Sequence, residues 1–132
     1  MSILIRSLTI DCADPYESAL FWSKVTGRPL GDDDNPGDPE AVVVLPEGNQ
    51  PGALLFIRVP EGKSVKNRLH LDLKPAEGST LVEEVERLVA LGATVLDDRR
   101  KPEGIGWIVL ADPTGNEFCV ESSHAEIKAI RG

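Results

Sequence analysis

Leu8, Ile10 and Cys12 alternate with Ser7, Thr9 and Asp11 near the start of the chain. That two-residue period predicts a strand within ILIRSLTIDC, residues 3–12. The period then changes. In DPYESALFWSKVTG, Asp14 suits a helix N-cap, Pro15 the first helical position, Glu17 the return leg of a capping box and Gly27 the stop. A helix is predicted over about residues 15–26, with Leu20, Phe21 and Val25 facing inward. A short strand near Arg28–Leu30 and a polar loop, GDDDNPGDPE, follow. Strands are then predicted at Ala41–Leu45 and Ala53–Val59, joined by the turn-rich PEGNQPG. The second of these is nearly all apolar, which predicts cover on both faces.

After PEGKSVKNR the order starts again. Leu69, Leu71 and Leu73 alternate with His70 and Asp72, predicting a strand over Leu69–Leu73. Thr80 and Glu83 form a second capping-box pair, and Leu81, Val82, Val85, Leu88 and Val89 mark one face of a helix that Gly92 ends. Strands at about Thr94–Asp97, Trp107–Ala111 and Glu117–Glu121 complete the half, the last two joined by the turn DPTG, residues 112–115. A polar tail with a turn of helix closes the chain. Both halves therefore run strand, capped helix, three strands, and LTID (8–11) looks like LHLD (69–72).

The 132 residues fit one domain, with module one at about 1–60, a linker at about 61–67, module two at about 68–122 and a tail at 123–132. The net charge of −8 argues against nucleic acid, whose binding depends on clustered Lys and Arg. No apolar run reaches membrane-spanning length and the N-terminus lacks signal-peptide character, so a cytoplasmic protein is expected, with no membrane partner. Cys12 and Cys119 both lie in apolar segments and read as buried free thiols. The acids at 32, 33, 34 and 38 do not make a calcium loop, because Pro36 takes the fifth position and Val43 the twelfth. Gly104 and Gly106 make no phosphate cradle, and there is no G-x-S-x-G nucleophile elbow.

The segments IDCADPYESALFWSKVTG (10–27), KNRLHLDL (66–73), LVALGATVLD (88–97) and DPTGNEFCVE (112–121) resemble the vicinal-oxygen-chelate superfamily of glyoxalase I, bleomycin-resistance proteins and extradiol dioxygenases. The resemblance implies an α+β fold of two βαβββ modules whose curled sheets enclose a cavity, and a homodimer. Metal-dependent members hold one divalent ion with His and Glu from four strand positions. Carried over one at a time, those positions fall on Ser7, on Phe56 or Ile57, on His70 and on Cys119. His70 alone matches the usual donor, so the expectation is a site without metal.

The leading expectation is thus a metal-independent binding protein for a small organic molecule. Thr9, His70, Asp72, Trp107, Cys119 and Glu121 would line its cavity. The alternative is a lyase, isomerase or dioxygenase-like enzyme of the same fold. In it, His70 acts as acid or base, or His70 and Glu121 hold one divalent metal with help from Asp72 or water. A third reading is a structural or regulatory domain whose cavity is filled by Phe56, Ile57 and Trp107. Against each functional reading stands a plainer one: His70 as a polar residue on an open sheet face, Asp11 as ordinary alternation, and Trp22 as core or dimer-interface packing.

Overall fold

The computed structural model describes residues 2–132. The chain divides into two compact units, one ending at Ser64 and the other starting at Val65.

The first unit contains β1 (Leu8–Cys12), α1 (Pro15–Thr26), β2 (Glu40–Val44) and β3 (Ala53–Arg58). β3 is central, parallel to β1 and antiparallel to β2. Leu30 adds only an isolated bridge to Val43 where a short strand is predicted. Neighbouring Pro29 can accept from Val44 N but has no N–H of its own to extend the ladder. α1 begins at the predicted N-cap, with the Asp14 carboxylate accepting from Glu17 N, and ends at Gly27 in the left-handed region at φ 70°.

The inner face of α1 differs from expectation. Ser18, Ala19, Phe21 and Trp22 are buried, while Leu20 and Val25 are only partly so. Apolar residues are spread around this helix and mark no single face. The small Ser18 and Ala19 let its backbone approach the sheet, and Trp22 then enters the core edge-on to Phe21, with ring centroids 5.4 Å apart. β3 is covered on one face rather than two: Leu54 and Phe56 are buried, Leu55 and Ile57 half-buried.

The second unit repeats the plan with β4 (Asp72–Leu73), α2 (Leu81–Ala90), β5 (Thr94–Asp98), β6 (Trp107–Ala111), β7 (Glu117–Glu121) and α3 (His124–Arg131). The sheet order is β4-β7-β6-β5, with β4 parallel to β7. Setting Leu30 beside β2 gives the first unit the same order, so the predicted repeat holds at the level of topology. Both sheets are open rather than closed.

The strand expected over Leu69–Leu73 is only Asp72–Leu73. It lies at the sheet edge with one neighbour, and pairing starts where Cys119 N donates to Leu71 O. Leu69 is 78% exposed, so the leucine alternation does not mark a buried face there. On α2, Leu81, Val85 and Leu88 are buried, whereas Val82 and Val89 flank that stripe and stay exposed. The expected turn of helix in the tail is the eight-residue α3, begun by a capping box of Ser123 and Glu126. Glu126 Oε1 also accepts from Leu81 N, which satisfies a free donor in the first turn of α2. No helix among the described residues is long and apolar enough to cross a membrane.

Candidate functional site

Strand alternation sorts the second sheet into two faces. Ile108, Leu110, Phe118 and Val120 are buried on one of them, the side of α2. Trp107, Val109, Glu117, Cys119 and Glu121 point to the other. That second face forms the floor of a half-open cavity of about 550 Å³. Asp72 and His70 close one side from β4 and the residues before it, and Leu96, Asp97 and Arg99 close the other from β5 and its end. Lys66 completes the rim.

The β5 side is set by Gly106, which sits at φ 145°, where L side chains are strained. A Cβ there would meet Arg99 O at 2.6 Å and Arg100 Cα at 2.8 Å. This close approach lets Arg99 N donate to Trp107 O, and Ser122 holds Gly106 from the other side through both its backbone and its hydroxyl. Arg99 and Trp107 are thereby brought to one rim. The Arg99 guanidinium is paired with Asp97, so much of its charge is answered locally.

At the floor, register places Asp72 directly opposite Cys119. His70 Nδ1 lies 3.1 Å from Asp72 Oδ1. Asp72 thus orients the imidazole, and Nε2 is the atom left to meet a ligand. Cys119 is buried, at 8% exposure. Burial first, and then the negative charge of Asp72, push its pKa up; Glu121 adds to this and Lys66 opposes it. A hydrogen bond from the thiol to Asp72 favours the protonated form as well. Cys119 is therefore a neutral thiol at pH 7, unsuited to act unaided as a nucleophile. Among the described residues, His70, Asp72 and Cys119 are a group that could hold a metal ion, with ligand atoms all within 4.8 Å of one another. Glu121 lines the same cavity but stands outside that group.

Five of the six residues expected to line a cavity, His70, Asp72, Trp107, Cys119 and Glu121, are thus brought together. Thr9 lies in the first unit, exposed on β1, with its hydroxyl 3.3 Å from that of Ser7. Of the family metal positions there, Phe56 is wholly buried and Ile57 half-buried, and neither carries a donor. Sequence reasoning missed Val109 and Glu117, although each sits two residues from Trp107 or Cys119 and strand period alone points to them. It also missed Lys66, Leu96, Asp97 and Arg99.

The model of the glyoxalase-like domain family matches residues 7–121. This chain belongs to that family. No curated protein matches its sequence. Among solved structures, this glyoxalase-like domain is similar to a glyoxalase-related enzyme from Fulvimarina pelagi, with 21% identity, TM-score 0.65 and coverage of 95% of this chain and 89% of that one. It is also similar to a mutant of the genomically encoded fosfomycin resistance protein of Listeria monocytogenes, complexed with Mn(II) and a dihydroxypropylphosphonic acid. There the identity is 17%, the TM-score 0.66 and the coverage 99% and 98%. An antibiotic binding protein from Streptomyces sp. CB03234 matches at 20% identity and TM-score 0.59, over 92% and 95% of the two chains. Identities this low establish the fold and leave the reaction open.

Proposed function

We propose that this glyoxalase-like protein binds a small organic molecule in the cavity of its second module. The observation that carries the reading is the makeup of that cavity. An indole and a valine floor it, while an oriented imidazole, carboxylates and two cations stand at its edges. Apolar surface with a few fixed polar groups is the usual composition of a ligand site. Trp107, 45% exposed on the floor, offers a face for stacking. Asp72 holds His70 for one directional hydrogen bond. The binding function named for the Streptomyces neighbour is in keeping with this reading.

The test is a thermal-shift screen of flat, amphipathic small molecules, followed by calorimetry on the hits. Trp107→Ala should weaken a hit roughly tenfold, the loss of about 1.4 kcal/mol of stacking and buried area. His70→Ala should weaken it while leaving the melting temperature nearly unchanged, since its side chain is 42% exposed. A hit whose affinity ignores both substitutions would place binding elsewhere and overturn the reading.

A second reading, an enzyme assisted by one divalent ion, is favoured by the grouping of His70, Asp72 and Cys119. The expectation of a metal-free site rests on the positions Ser7 and Phe56 or Ile57. Asp72, beside Cys119, supplies a donor from a position outside that family set. A bound ion would polarise an oxygen of the organic ligand. A homodimer, from the family resemblance, and a cytoplasmic location complete the proposal. Sedimentation of the purified protein tests the dimer.

A further inference from the structure

The repeat presents the same three positions twice. In the second sheet the parallel pair places Asp72 opposite Cys119; in the first it places Asp11 opposite Ile57. Two residues before the acids stand His70 and Thr9. The second module fills the three positions with nitrogen, oxygen and sulfur donors. The first module has Thr9, Asp11 and Ile57 there.

We infer that His70, Asp72 and Cys119 form a metal site complete within the second module, and that its sulfur donor makes it take Zn²⁺ or Co²⁺ in preference to Mn²⁺ or Mg²⁺. The inference rests on the second reading only in placing an ion in this cavity; it needs neither an organic ligand nor turnover. Three protein ligands with a side left open to the cavity is the donor count of a catalytic zinc site. Thiolate and imidazole suit zinc-class ions, whereas manganese and magnesium prefer all-oxygen sites.

The geometry fits with small adjustments. Donors at zinc-like bond lengths of about 2.0–2.3 Å stand roughly 3.3–3.8 Å apart. The three ligand atoms already lie within 4.8 Å of one another, and an ion taken between His70 Nδ1 and Asp72 Oδ1, 3.1 Å apart, would replace their present contact. The side chains that must move, His70 and Asp72, are 42% and 53% exposed, while Cys119 is held in the sheet. Charge also fits. One carboxylate and one thiolate balance a divalent ion, and the thiol proton passes to solvent as the ion binds.

The experiment titrates Co²⁺ into the full-length, metal-stripped protein and reads the sulfur-to-cobalt charge-transfer absorption and the thermal melt. The expected result is a band that saturates at stoichiometric cobalt, is bleached by Zn²⁺ and survives equal Mn²⁺, with a raised melting temperature. Cys119→Ser should abolish the band. Asp72→Asn should weaken cobalt binding by roughly tenfold or more, since losing even an outer partner of a metal ligand costs that much. Cys12→Ala should keep the band, because Cys12 is buried in the first unit with its thiol directed at Ile57 O. Should Cys119→Ser fail to fold by circular dichroism, Asp72→Asn and His70→Ala decide, both altering exposed side chains. No band and no shift, a band that survives Cys119→Ser, or cobalt displaced by equal Mn²⁺ would each overturn the inference. Trp107→Ala separates this from the organic-ligand reading: it should keep the cobalt band while weakening the small molecule, and either effect can fail alone.

Discussion

Several side chains around the cavity act through a neighbour rather than alone. Asp72 is the clearest: it orients His70, accepts from Cys119 and raises that thiol's pKa. Asp97 answers the charge of Arg99 at the rim. One residue further along, Asp98 does the same for Arg100 by two routes, from the guanidinium and from the backbone N–H. These bonds hold the Asp98 carboxyl at about 2, below its ordinary 3.8. A depressed carboxylate contributes stability that is fully present above its unfolded pKa and is lost as pH falls through the folded one. The window is therefore about pH 4 down to 2. Because Asp98 lies at the surface, solvent screening keeps its effect on global stability small. The direct readout is an NMR titration of its side-chain carbon, where Arg100→Ala should return the midpoint toward 3.8. An unchanged midpoint in that variant would mean that other groups hold the carboxyl down.

At the scale of elements, caps made both long helices legible, and period marked the buried stripe of α2 alone. Asp14 and Thr80 start them as the sequence predicts, because a side-chain oxygen at an N-cap has a fixed local partner three residues on. β6 and β7 are legible as short apolar runs either side of the turn DPTG, while Cys119 and Glu121 are reached through the family resemblance rather than through a period. What the pattern misread depends on distant neighbours. Leu69–Leu73 alternates like a strand, yet only Asp72–Leu73 has a pairing partner, so Leu69 points to solvent. Trp22 enters the core, one of the two places expected for it, because Ser18 and Ala19 let α1 come close, whereas Leu20 and Val25 do not form the predicted inner face. Arg99 reaches the cavity only through the tight passage at Gly106, a loop contact without a sequence period. That passage can be tested. Gly106→Ala places a Cβ against Arg99 O and Arg100 Cα in a left-handed backbone, a strain on the order of 1–3 kcal/mol. Urea unfolding should show that loss, and the emission of Trp107 should shift as its rim loosens. A variant with wild-type stability and emission would show that the loop absorbs the methyl group without moving the rim.

Across the whole molecule, one plan is used twice with different content. The registers that set Cys119 against Asp72 and Ile57 against Asp11 also make Phe118 and Phe56 equivalent, each one residue earlier and turned to the opposite, helix-covered face. Both phenylalanines are wholly buried, at 1% and 0% exposure, so the repeat keeps its core while its open face diverges. Truncating either to Ala removes most of a large side chain from a packed layer and leaves a cavity, a cost of about 3–5 kcal/mol. Urea denaturation should report a loss of that size for both variants. The open face should respond differently. Ile57 is already apolar and half-buried, so Ile57→Ala should cost only about 1–2 kcal/mol, in keeping with partial burial, and should leave the cobalt signal of the second module unchanged. If Phe56→Ala and Phe118→Ala differ by several kcal/mol, the two layers are not energetic equivalents, and the repeat is one of topology alone. If they match, the duplicated core is the common support. The donors at 70, 72 and 119 are then a specialisation that one module carries without altering the packing beneath it.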